Sequence, residues 1–315
     1  MELKLDIISV GEVLIELSTD CKLVFADTLN KYYGGDCMAT AIAAQRAGSK
    51  VGFITKVGND AFKEFLLDAW QCEGLDISQV KLAEEKNGLY IIAMPSNEEK
   101  EIIYYRKKIA PSKLTIDDIS EKYISSAKYV YSSGITQSLS ASASEAVSYA
   151  FKIAQKNGVS TAYTPSFNPN VTSVDIAKEY LSNVINNLDI LFMEMESDVI
   201  PLIGLYSPDS AIKKMWDYGI KIVIIKSNQN KKYYVGYNGN VTEYSFYDIG
   251  IVDTTSSFDA FNGGFLSAMA NGMTPYDSVK FASVMEGIQV ANIGAIKSIP
   301  FKADVINILK GEGND

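Results

Sequence analysis

At 315 residues the chain has room for one large α/β domain or two smaller ones. Its 38 acidic side chains outnumber 29 basic ones, giving a net charge of −9 with no histidine, which argues against nucleic acid or an anionic membrane as a partner. The three cysteines, Cys21, Cys37 and Cys72, have no metal-ligand spacing and read as small buried hydrophobes; without histidine the usual zinc sites are excluded.

The opening MELKLDIISVGEVLIEL is apolar only in short runs broken by Glu12 and Glu16, unlike a signal peptide, and no run reaches the 18 or more apolar residues of a membrane span. A reducing cytoplasm is the expected compartment. In chain order, LDIISVG, KVGFITKVG, AKYVYSSG, VSTAYTPSF, LDILFME and IKIVIIKS predict strands. Between them CMATAIAAQRAG, AFKEFLLDAWQCEG, SASEAVSYAFKIAQKNG and SPDSAIKKMWDYG predict helices, closing on Gly48, Gly74, Gly158 and Gly219 as left-handed caps. Strand and helix alternate as in βαβ units. The strands are apolar at nearly every position, so the expectation is a doubly wound, mostly parallel sheet covered by helices on both faces.

Residues 12–33 and 87–108 break the rhythm, being strand-like without intervening helices. LYIIAMPSNEEKEIIYYRKK reads as a hairpin turning at SNEEK. Both segments are expected to form a small separate sheet over the main one, within a single unit spanning 1–315. In an open α/β sheet, ligands sit beyond the carboxyl ends of the strands. That points to Gly34 and Gly35, Asn168 to Asn170, Glu194 to Glu196, Ser227 to Asn230 and the stretch DTTSSFDAFNGGF from Asp253.

In YYGGDCMATAIAAQRAG two glycines precede an Ala-rich helix, where free N–H groups meet a polar ligand. Alone this is also the pattern of a tight turn before a core helix. Paired with DTTSSFDAFNGGF more than 200 residues later, it resembles the two signatures of the ribokinase-like (PfkB) carbohydrate kinases. GEVLIEL, KVGNDAF at 56–62, YYR at 104–106, SSGIT at 132–136 and ANIGAIKSIP follow in the family's order, so the resemblance covers almost the whole chain. YYR followed by SGIT is most similar to 2-keto-3-deoxygluconate kinases.

The resemblance implies a ribokinase-like α/β fold with a β-clasp lid, and ATP with Mg²⁺ as cofactors; the exposed sheet face of such a lid can pair between two copies, so a homodimer through the lid is expected. It implies transfer of the γ-phosphoryl group to a hydroxyl of a sugar or sugar acid. Asp259 matches the aspartate that takes the hydroxyl proton; Glu12, Gly34, Gly35, Tyr90, Tyr104, Arg106 and Asn170 fall around the sugar. Lys226, Ser227, Asn228, Asn230, Ser256, Ser257 and Phe258 fall near the nucleotide, and Glu194 or Glu196 near the metal.

The chain departs from the family where Gly-Ala-Gly becomes Ser256, Ser257, Phe258, so a non-glycine residue is expected in a left-handed conformation, at about 1–2 kcal/mol. Phe258 is expected to crowd the phosphate. The glycines of the nucleotide loop become Asn228 and Lys231, the first-signature asparagine becomes Ala39, and the aspartate and arginine of the family's sugar-contacting segment become Asn168 and Thr172. Two readings follow: an active sugar kinase using Asp259, or a non-catalytic member that binds a sugar or another protein.

Overall fold

The computed structural model describes residues 4–96 and 99–311. Strands run in chain order β1 Ile7–Val10, β2 Leu14–Thr19, β3 Asn30–Gly34, β4 Val51–Gly58, β5 Val80–Ala83, β6 Gly88–Ala93 and β7 Glu101–Tyr105. They continue with β8 Tyr129–Ser133, β9 Ser160–Thr164, β10 Ile190–Glu194, β11 Ile222–Ser227, β12 Lys232–Tyr237 and β13 Asn240–Ser245. Among the described residues nine of them form one sheet in the order β13-β12-β11-β10-β9-β8-β1-β4-β5. All pairings from β5 to β11 are parallel, and β12 and β13 add an antiparallel edge.

The six sequence-predicted strands are β1, β4, β8, β9, β10 and β11, and the four predicted helices are Asp36–Arg46, Lys63–Glu73, Ala141–Lys156 and Pro208–Trp216. Gly48, Gly74, Gly158 and Gly219 all take positive φ, as expected of left-handed caps. Side chains alternate across the sheet. Phe192 and Ile224 enter one core with Phe261 and Phe265, whereas Leu191, Met193, Val223 and Ile225 enter the other with Phe151 and Tyr163. Two buried faces make these strands uniformly apolar in sequence.

β3-β2-β6-β7 form a separate four-stranded sheet, in which β2 and β6 pair in parallel and β3 and β7 run antiparallel at the edges. These strands lie in the two segments that break the βαβ rhythm. Between β2 and β3 the chain is not strand throughout, because Leu23–Phe25 winds into a short 3-10 turn. Asn97 and Glu98 of the expected SNEEK turn lie outside the described residues. Of the cysteines only Cys37 is buried; Cys72 is exposed, because it lies on the outer face of the helix Lys63–Glu73, and Cys21 is half-buried.

From β1 the chain adds strands outward through β4 to β5, then returns to the other side of β1 with β8. The strand order therefore reverses between β1 and β8. The crevice beyond the carboxyl ends of those two strands is where such a sheet leaves room for a ligand.

Candidate active site

Ser256 caps the helix Ser257–Ala270 in a left-handed conformation, φ 59° and ψ 22°. The strained backbone expected where glycine is usual is present, so the path of the turn is kept. Asp253 braces it, accepting from the Thr255 N–H at 2.9 Å, the Thr255 hydroxyl at 2.6 Å and the Gly294 N–H at 3.0 Å. Lys100 reaches across from the small sheet to Asp253 and to the Thr255 hydroxyl. Ser257 N–H bonds the Thr254 carbonyl at 3.2 Å and Ala260 N–H the Ser256 carbonyl at 3.0 Å. The N–H groups of Phe258 and Asp259 are left without an intrahelical acceptor, as in the first turn of any helix.

Phe258 does not crowd this turn as expected. Its ring stacks on Phe261 at 5.6 Å and meets Phe192 edge-on at 6.3 Å, with the Lys226 ammonium 5.4 Å above it. At the start of a helix whose buried face is aromatic, the core offers the ring more contact than the open cleft does.

On one side of the turn lies a cleft of about 190 Å³ lined by Glu12, Gly35, Asp36, Tyr90, Tyr104, Arg106, Asn168, Thr255, Ser256 and Asp259, among others. Gly35 has φ 120°, and a Cβ there would stand 2.6 Å from the Glu12 carbonyl oxygen, so only glycine lets the helix Asp36–Arg46 begin this close to the end of β1. Gly34 is buried with the Tyr90 hydroxyl against it and does not line the cleft. Arg106 holds Glu12 in a two-pronged pair, Nε to Oε1 at 3.1 Å and Nη2 to Oε2 at 2.8 Å. Burial pushes the Glu12 carboxyl up to about 7 even so. Tyr90 donates to Glu16, and its ring lies 5.9 Å from that of Tyr104. Asn170 is exposed and outside the cleft, because its N–H turns back to Asn168 Oδ1 at 2.9 Å; Asn168 lines the cleft instead.

Asp259 is half-buried on the wall of this cleft. Burial and then the Asp36 carboxylate push its pKa well above the usual carboxylate range, while the Ser256 hydroxyl and Lys226 pull it back. Asp36, which sequence reasoning did not single out, is raised by burial as well, against the Ser133 hydroxyl and the Cys37 N–H. Its position directly after the two glycines was the available signal.

On the other side lies a second cleft of about 210 Å³ lined by Lys226, Asn228, Lys231, Tyr233, Tyr247, Thr254, Ser257 and Glu286, among others. Lys226 is buried, 2.6 Å from Glu286, 3.2 Å from Ser257 Oγ and 3.5 Å from Glu194. Burial alone would pull its pKa down, but Glu286 and Glu194 outweigh it. Glu286 also accepts from the Tyr233 hydroxyl. Neither Glu286 nor Tyr233 was legible as a site residue, because both look like ordinary helix and strand positions. Lys231 takes φ 49°, so the second glycine-type position of this loop is left-handed here too; Asn228 is not among the residues with positive φ.

Glu196 occupies the mouth of that loop, accepting from the Ser227 hydroxyl at 2.8 Å and from the N–H groups of Gln229 and Asn228 at 3.2 Å each. A carboxylate thus fills the nest of donors that an anion would use. Asn230 N–H bonds Ser227 Oγ at 3.3 Å and tightens the same turn. Glu194 accepts from the Asn228 amide at 3.2 Å and the Ser197 hydroxyl at 2.9 Å. Behind them a π-helix, Met195–Ile203, places Asp198 where it accepts from the Phe167 and Glu194 N–H groups at 2.8 and 2.9 Å; burial raises this carboxyl to about 7. Among the described residues no three acidic or thiol side chains cluster closely enough to hold a metal by themselves.

One turn therefore partitions two clefts, with Thr254 and Ser257 facing one and Thr255, Ser256 and Asp259 facing the other. Residues 4–302 match the model of the pfkB family of carbohydrate kinases. The chain belongs to this family.

Among its PfkB relatives, a 5-dehydro-2-deoxygluconokinase of Clostridium perfringens is 31% identical over 98% of this chain and 94% of that protein. A 2-dehydro-3-deoxygluconokinase of Thermoproteus tenax is 28% identical over 98% and 95% respectively. A ribokinase II from E. coli, solved with ATP and Mg²⁺, superposes with a TM-score of 0.89 at 20% identity, covering 97% of this chain and 99% of that one. The fold of this PfkB protein is thus the ribokinase fold, with the four-stranded sheet in the place of the lid.

Proposed function

We propose that the protein transfers the γ-phosphoryl group of ATP to a hydroxyl of a sugar or sugar acid, with Asp259 accepting the hydroxyl proton. The observation that carries this reading is the turn Thr254–Asp259 shared by two clefts, with Thr254 and Ser257 lining one and Thr255, Ser256 and Asp259 lining the other. Family membership and the names of the relatives support the same chemistry. Phosphoryl transfer asks a protein mainly for positioning and for fixed donors where charge gathers. The N–H groups of Phe258 and Asp259 at the helix start, without an acceptor among the described residues, supply such donors. Asp259, raised by burial and held beside Ser256, is a more basic carboxylate than usual, as a proton acceptor requires.

The nucleotide would lie in the Lys226 cleft against Tyr233, Tyr247 and Ser257, with Lys226 at its closed end. Mg²⁺ would be held mainly by the phosphates, with Glu194 as the fitting carboxylate through water; Glu196 does not fit, since its oxygens are engaged by three loop donors. When bound, the ion would supply neutralisation of the negative charge that develops during transfer. The non-catalytic reading loses its main support, because Ser256 and Lys231 adopt the left-handed backbone the loops require and Phe258 turns into the core.

ADP formation over a panel of sugars and keto-deoxy acids, with ATP binding measured alongside, tests the proposal. Asp259→Asn should lower turnover by at least about a hundredfold while leaving ATP binding intact. Unchanged turnover in that variant, or no ATP binding by the native protein at millimolar concentration, would overturn it. Two further features complete the reading. Ile103 and Tyr105 stand exposed on the outer strand of the small sheet, which supports a homodimer through the lid. No helix among the described residues is long and apolar enough to cross a membrane, and a cytoplasmic setting agrees with the three free cysteines.

A further inference from the structure

The sugar cleft carries a charge pattern that narrows its substrate. Three carboxylates, Glu12, Asp36 and Asp259, line it, and Arg106 is its only cationic side chain among the described residues. That guanidinium is already spent, with Nε and Nη2 both donating to Glu12, and the pair is buried. Freeing it for a ligand would strand the Glu12 carboxylate away from water. The other side chains on the wall are acceptors or neutral groups: Asn168, Tyr104, Thr255 and Ser256. Asp36 adds a particular feature. Its Oδ1 accepts from the Cys37 N–H at 2.7 Å, but its Oδ2 is buried without a hydrogen-bond partner among the described residues. A buried acceptor left open is costly unless something donates to it. In a cleft with Asp259 on its wall, the natural donor is a second hydroxyl of the same molecule.

We infer that the substrate of this site is a neutral polyhydroxy compound rather than a sugar acid, and that Asp36 receives a hydroxyl next to the one from which Asp259 takes its proton. The inference rests on the kinase reading above for the role of Asp259, but the charge argument concerns binding alone. A substrate carboxylate entering here would meet the carboxyl groups of Asp36 and Asp259 and no free cation, whereas a neutral polyol satisfies the open acceptors. Asp36 is thus a substrate-binding residue, and Glu12 with Arg106 forms a neutral wall rather than an anion clamp.

The test uses matched pairs that differ only at the carboxylate: 2-keto-3-deoxygluconate against 2-keto-3-deoxyglucose, and gluconate against glucitol, with ribose and fructose as further neutral probes. Binding by calorimetry and ADP formation are measured on the full-length protein. The neutral member of at least one pair should bind at least about tenfold more tightly than its acid and should turn over faster by a similar factor. Asp36→Asn should raise KM for the neutral substrate with little change in kcat, and should narrow the gap to the acid. Glu12→Gln, which frees Arg106, should raise acid binding by about tenfold or more. Tighter binding of the acid members, or no binding of any neutral probe, overturns the inference. Because binding is read without turnover, neutral binding with no ADP formation would sink the kinase reading and leave the substrate class standing; rapid turnover of acids would do the reverse.

Discussion

Ser256→Gly should stabilise the protein relative to Ser256→Ala, and the difference isolates one backbone torsion. Ser256 sits at φ 59°, a conformation that costs an L-residue about 1–2 kcal/mol, and alanine inherits that cost unchanged. Glycine removes it but brings a more flexible unfolded chain, worth roughly 0.4–1 kcal/mol in the other direction. The net expectation is about 1 kcal/mol in favour of glycine over alanine, measured by urea unfolding of both variants. Both changes also delete the hydroxyl that holds the Asp259 pKa down. In its proposed role Asp259 must be ionised to accept a proton, so raising its pKa removes the active form at a given pH. The acidic limb of the rate profile should accordingly move to higher pH in both variants by a similar amount. Equal stability of the glycine and alanine variants, or a limb that stays where it is, would refute the reasoning from torsion and hydroxyl respectively.

Two further outcomes follow from buried charge. Glu286→Gln leaves Lys226 without its closest counter-ion in a buried setting and should cost roughly 3–5 kcal/mol, with weakened ATP binding; pairing it with Lys226→Met should recover much of the stability but not the binding, as read by denaturant titration and calorimetry. Glu12 and Asp198 both titrate near 7 in the folded protein because burial disfavours their charged forms. The folded state therefore binds more protons than the unfolded one between their ordinary values and 7, so stability falls as pH rises through that window and levels off above it. Each contributes up to about 1.4 kcal/mol per pH unit, and Asp198→Asn should flatten the profile measured from pH 4.5 to 8.

Much of the fold, and the turn that lines both clefts, was readable before any coordinates. The alternation of apolar strands with glycine-capped helices is a local pattern, and β1, β4, β8, β9, β10 and β11 form where it lies because two buried faces leave no polar positions to disguise them. Asp259 and the left-handed residue before its helix were legible for the same reason: a signature records a backbone path, and Ser256 follows that path although it is not glycine. What the linear pattern cannot carry is which way a side chain turns once several directions are open. Phe258 adjoins the phosphate turn in sequence, but Phe192 and Phe261 come from elsewhere in the fold to receive its ring.

By itself, then, the sequence determined the fold class, the strand-like segments of the small sheet and the left-handed turn before the helix of Asp259, since each depends on residues close along the chain or on a periodicity. Tertiary structure alone decided the charge balance. That Arg106 is consumed by Glu12 across 94 residues, that Glu196 fills the donors of the loop after β11, and that Asp36 keeps a buried oxygen without a partner among the described residues beside the cleft it shares with Asp259 are consequences of strands brought side by side. An ion pair is a property of separation in space, and these separations are set by the sheet order and the lid, neither of which any single stretch of residues contains.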